Sequence, residues 1–181
     1  MTTPAGCISL ALEHMRQTLA RSATWQAEVG VSTPEDAIGR IHLHSLPLPA
    51  TGGEYSVDEL NNRRPYAVLW TTMGSGYSTT AIAHDRPKTW DDAGMVECRI
   101  EWTIPDNIWE QPAEIGLRFE NFIGGVIDDV AALAGESGLL DIGRISYAGI
   151  EVVDDDDQYT HGRFAMTVLR FQYGGGPGGT G

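Results

Sequence analysis

Val96–Ile104, VECRIEWTI, decides how this chain folds. Val96, Cys98, Ile100, Trp102 and Ile104 are apolar, and Glu97, Arg99, Glu101 and Thr103 between them are polar. A period of two is the signature of a β-strand with one buried face and one wet or partner-facing face. Pro105 ends the strand.

Working outward, RPYAVLWTT (Arg64–Thr72) is a nearly continuous apolar run suited to a sheet covered on both faces. A glycine turn at Gly74–Gly76 leads to a returning strand over Tyr77–His84. After Asn107–Gln111, Phe119, Phe122, Ile123, Val126, Ile127, Val130 and Leu133 recur at helical spacing, with Glu120, Asp128 and Asp129 opposite. Gly124–Gly125 marks a close helix–sheet contact or a slight bend. Two strands close the chain, over Ile142–Val153 and Gly162–Tyr173. In the last, the apolar side changes near Leu169, so it is covered on both faces or bulged.

Towards the N-terminus, Ile8, Leu12, Met15 and Leu19 form one helical stripe, and Gly30 supplies a stop. Ile41–His44 reads as a short strand ended by Pro47 and Pro49, and Thr51–Arg64 as a polar loop. The order predicts an α+β fold: a mostly antiparallel sheet packed against two amphipathic helices, with a C-terminal β-hairpin. A single domain over 1–173 is expected, followed by a flexible Gly-rich tail over 174–181.

Twelve Lys and Arg against 25 Asp and Glu give a net charge of −13. Such a surface does not hold nucleic acid by neutralising phosphates, although it can pass near a nucleic acid by repelling it. Cys7 and Cys98 lie on different predicted elements, which suits two free thiols in a reducing compartment. No basic-flanked apolar leader and no run of about 18 apolar residues is present, which predicts neither a signal peptide nor a membrane span.

Candidate chemistry is sparse. His42 and His44, two apart on a strand, project to one face and could form part of a zinc site in a metal-dependent hydrolase. The sequence places no third ligand beside them. Asp154–Asp157, with His161 close by, lack the spaced oxygens, glycine and terminal glutamate of a calcium loop, and read as a charged hairpin tip. TMGSGYS lacks the Lys-Ser/Thr of a phosphate loop, and its Ser75 lacks the spacing of a nucleophile elbow. Asp91–Asp92 and Asp128–Asp129 are carboxylate pairs; the second lies on the polar side of an amphipathic helix. These readings predict no enzyme, no metal and no cofactor.

The succession of an amphipathic helix, RIHLHSLPLP, the PYAVLW strand, the FENFIGGVIDDVAALAG helix and a hairpin ending FAMTVLRFQYG resembles the tail terminator proteins of long-tailed bacteriophages and their tail-completion and neck relatives. The resemblance implies a structural virion protein that forms a homo-hexameric ring at the head-proximal end of the tail tube, at the head–tail junction. It would be assembled in the host cytoplasm. Its partners would be itself, the tail tube protein, and a neck or head-completion protein. Genomic DNA would cross the lumen without specific binding, and no membrane is involved. A neck or head–tail adaptor role is the nearest alternative. Glu97, Arg99, Glu101, Trp90 and Trp109 are interface candidates, with Trp102 either joining them or packing in the core. Asp154, Asp155, Asp156 and Asp157 are candidates for an acidic lumen or rim.

Overall fold

A computed structural model describes residues 7–50, 52–71, 94–134, 141–153 and 163–174. The expected return strand over Tyr77–His84, and Gly175–Gly181 of the expected tail, lie outside them. In chain order the described elements are helices α1 (Cys7–Arg21), α2 (Ala23–Val29) and α3 (Pro34–Ala37), strand β1 (Ile41–Leu43), helix α4 (Val57–Arg63), and strands β2 (Tyr66–Thr71) and β3 (Gly94–Thr103). The long helix α5 (Pro112–Ala134) and strands β4 (Asp141–Tyr147), β5 (Glu151–Val153) and β6 (Phe164–Gly174) follow. The fold is α+β, as the order of elements predicts. None of the described helices is long and apolar enough to cross a membrane.

The sheet runs β1-β2-β3-β6-β4, with β5 also paired to β6. Only β1–β2 is parallel; the other pairings are antiparallel. β3 and β6 form its centre, with Cys98 opposite Leu169 and Val96 opposite Phe171. Residues 96, 98, 100 and 102 of β3, 67 and 69 of β2, and 165, 169 and 171 of β6 are all buried in the core. α1, α2 and α5 cover this face through Leu12, Met15, Leu19, Trp25, Phe119, Phe122 and Val126. Trp102 belongs to this core: its ring stacks on Phe119 at 5.7 Å and its Nε1 donates to Glu28.

β6 is covered on both faces. Ala165, Leu169 and Phe171 lie in the helix-covered core, whereas Phe164 is buried against the opposite face. It needs no bulge to satisfy both apolar sets. The strand expected over Ile142–Val153 is broken instead: Gly149 takes φ 93° and separates β4 from β5, while Thr167 Oγ1 donates to Gly149 O. A left-handed residue of this kind is what glycine supplies at low cost. The register of β4 also shifts between Ile142 and Arg144.

Three further differences have local causes. The N-terminal helix does not run through to Gly30. It stops at Arg21, and α2 starts afresh with Ser22 as N-cap, whose Oγ accepts from Trp25 N at 3.1 Å. β1 ends before Pro47, because His44 adopts φ 67° and Ser45 N donates to Leu43 O at 2.8 Å, closing a tight γ-turn. The glycine pair in α5 approaches a helix rather than the sheet: a Cβ on Gly125 would stand 2.9 Å from Thr24 Cγ2 of α2, whereas one on Gly124 would meet open space.

Asp129 has a structural role that its position on a polar face does not disclose. Its Oδ2 accepts from Ser22 Oγ and from Thr24 N, each at 2.8 Å, and so clamps the N-terminus of α2 to α5. The Thr24 N–H, followed by the Ser22 hydroxyl, holds the carboxyl below its ordinary value of 3.8. A depressed carboxylate adds stability above that value and loses it as pH falls through the lower, folded-state value. Asp129→Ala is expected to cost about 1 kcal/mol at neutral pH, the usual scale of a lost helix cap. In urea unfolding, the gap from wild type should narrow as pH drops below the ordinary aspartate range.

Candidate functional site

The second face of the sheet is where polar side chains of β3 meet α4 and the chain that precedes it. Thr51–Arg64 is not a simple loop. SVDEL carries a capping box in which Ser56 Oγ accepts from Glu59 N while Glu59 Oε2 accepts from Ser56 N at 2.8 Å, starting α4. Leu60 of α4 then packs with Tyr66 and Val68, forming a small second core beside Leu46, Tyr55 and Trp70.

Between this helix and the sheet lies a groove of about 750 Å³. Its floor is Tyr66, Val68 and Trp70 of β2, Arg99 and Glu101 of β3, and Phe164 and Met166 of β6. One wall is the proline-containing segment 44–49, which Tyr55 holds in place by donating its hydroxyl to Pro47 O. Leu48 crowns that wall with 84% of its surface exposed.

The groove's buried charges are engaged with one another. Arg64 donates through Nε to Glu101 Oε2 at 3.1 Å, and its NH2 lies 3.1 Å from the same oxygen. Its NH1 donates to Asn61 Oδ1 at 2.8 Å, and its guanidinium sits 3.9 Å over the Phe164 ring. The Arg64–Pro65 peptide is cis. Tyr66 donates its hydroxyl to Glu101 Oε2; burial, then the Glu101 charge, push the phenol above its ordinary range and keep it a donor. Arg99 Nε stands 3.2 Å from Glu101 Oε1, close enough for an ion pair but out of line for a hydrogen bond. The Arg64 and Glu101 side chains are 1% and 6% exposed, whereas Arg99 is 41% exposed. Two guanidiniums thus flank one carboxylate, and the outer one reaches solvent.

The interface candidates separate accordingly. Arg99 and Glu101 line the groove. Glu97 is also buried, but it pairs with Arg170, whose Nε donates to Glu97 Oε1 at 2.7 Å. Trp109 packs half-buried against the main core, with the Arg163 guanidinium 4.1 Å over its ring. Trp90, Asp91–Asp92, Ser75, Asp154–Asp157 and His161 lie outside the described residues. The histidine pair is split between two pockets. His44 has left the strand and lines the groove, whereas His42 lines a separate pocket beside Arg40 and Arg63. Burial, then Arg63, Arg16 and Arg40, lower the His42 pKa, surroundings that oppose a cation. Among the described residues, no three His, Cys, Asp or Glu side chains gather as a metal set.

Arg64 and Tyr66 are the residues that sequence reasoning missed. A helix at 57–63 was announced by the Ser56–Glu59 spacing, and with it the covering of this face. No family model matches the chain, and no curated protein matches it at a significant level.

Removing Glu101 would take from the buried Arg64 charge the carboxylate it is paired with. Glu101→Ala is expected to destabilise by about 3–5 kcal/mol in denaturant unfolding, while Arg64→Met with Glu101→Leu should cost less than Glu101→Ala alone.

Proposed function

We propose that the protein is a structural assembly subunit of the tail terminator type, forming a ring at the head–tail junction of a long-tailed phage. The observation that carries this reading is the groove on the second face of the sheet. It is open, carries an exposed apolar lip at Leu48, and has its buried charges tied up in ion pairs. Such a surface suits a protein partner better than it suits catalysis.

A ring built head to tail needs two unlike patches on opposite sides of the subunit. The groove, with its outward Arg99, is one. The solvent side of α5, with Glu120 and Asp128 exposed and Leu117 59% exposed, lies across the sheet from it. We propose that the acidic α5 face of one copy docks in the groove of the next, with opposite charge and apolar lip both satisfied. The net charge of −13 fits a lumen that DNA crosses without adhering. Tail tube and neck proteins are the further partners of this reading.

Native mass spectrometry of the purified protein, alone and with tube protein, tests it. A six-subunit ring, or a ring formed on tube ends that halts tube growth, is the expected result. A monomer that leaves tube polymerisation unchanged would overturn the proposal.

A further inference from the structure

On the other side of α4, a pocket of about 320 Å³ is lined by Gly39, Arg40, His42, Glu59, Asn62 and Arg63. We infer that this pocket binds a small molecule through a phosphate-type oxyanion, with Arg40 and Arg63 clamping the oxygens and His42 at its base.

The arginines are held in place by carbonyl and aromatic contacts. Arg40 uses NH1 to donate to Asn62 O at 3.1 Å and to Arg63 O, the last carbonyls of α4, which anchors the side chain. A guanidinium has five donors, so this anchorage leaves others available. The Arg63 guanidinium lies 4.5 Å over the Tyr55 ring, which fixes its plane. Among the described residues neither forms an ion pair with a carboxylate. Glu59, the one acid lining the pocket, is already bonded to Ser56 N and Oγ. In a chain with 25 acidic residues and 12 basic ones, two anchored arginines outnumber the single carboxylate, Glu59, that shares their pocket and feels the Arg63 charge.

Shape and charge narrow the ligand. Two guanidiniums from different elements line the pocket together with an imidazole, and so offer donors from more than one segment of the chain. That arrangement matches a tetrahedral oxyanion better than a planar carboxylate, which one fork can satisfy. The volume admits a small molecule, and the net charge of −13 disfavours a polyanion. The charged groups acting on the imidazole are Arg63 from α4, Arg16 from α1, itself 3.6 Å from Glu13, and Arg40, while Glu59 of α4 lines the same pocket. Tyr66 of β2 packs against the imidazole edge-on at 6.4 Å. Burial, then these cations, lower the imidazole pKa, and a bound phosphate would raise it. This inference does not rest on the ring proposal.

The test is an NMR titration of the intact chain, following His42 identified by its loss in His42→Gln. Inorganic phosphate and phenyl phosphate are compared with acetate and sodium chloride at matched ionic strength. The expected result is saturable binding of a phosphate probe and an upward shift of the His42 pKa on binding. Phenyl phosphate binding more tightly would identify an organic phosphate; equal binding would identify free phosphate. Arg63→Ala should weaken binding about tenfold or more, the worth of one charge-assisted hydrogen bond. Arg63→Gln, which keeps a polar helix end, should weaken it similarly should Arg63→Ala fail to fold, and Arg118→Ala on α5 should change nothing. Equal shifts from chloride or acetate, or unchanged affinity in the Arg63 variants, would overturn the inference.

Discussion

A buried carboxylate cannot stay charged without a cation, and Glu101 is the point at which this constraint organises the molecule. Strand alternation places Glu101 on the side of β3 away from the core, and α4 with the preceding segment then covers it. Arg64, at the C-terminus of α4, supplies the counter-charge, while Tyr66 supplies a hydroxyl to the same oxygen. The helix, the proline-containing wall and the groove between them take their places around that cluster. A hydrophobic isostere could hold the same elements together. What the ion cluster adds is a directional tie between Arg64, at the C-terminal end of α4, and Glu101 of β3.

The two faces of the sheet therefore do different work. One is closed by α1, α2 and α5 over a continuous apolar core, with Asp129 clamping α2 to α5. The other carries a second, smaller core and leaves a groove beside it. The helix between the groove and the arginine pocket is α4, so one short element defines both cavities. Its capping box at Ser56 and Glu59 gives seven residues the local support that so short a helix lacks by itself.

Much of the fold was legible because β3 and α5 repeat their apolar residues at unambiguous periods. The α+β class, the helix-facing side of β3 and the antiparallel end of the chain all follow from those periods. Breaks were harder to read. Ser22 restarts a helix whose apolar stripe continues across the gap, and Gly149 interrupts a run rich enough in β-formers to look continuous. The site was less legible than the fold. Arg99 and Glu101 were visible as the polar side of a strand, but Arg64 lies 37 residues from Glu101 and becomes its partner only when the sheet forms. His42 and His44 looked like a pair because strand alternation was assumed through His44, where a positive φ ends it.

The central claim is that unlike surfaces on opposite sides of the sheet join successive copies. Cysteine cross-linking tests it most directly, using Leu48→Cys on the groove wall and Leu117→Cys on α5, in a Cys7→Ser background. Both positions are exposed, and the native Cys98 thiol is buried with its pKa pushed up, so it stays silent. Docking of α5 into the neighbouring groove predicts disulfide-linked dimers when the two variants are mixed, and few when either is oxidised alone. Equal cross-linking of each variant with itself, or none in the mixture, would contradict it.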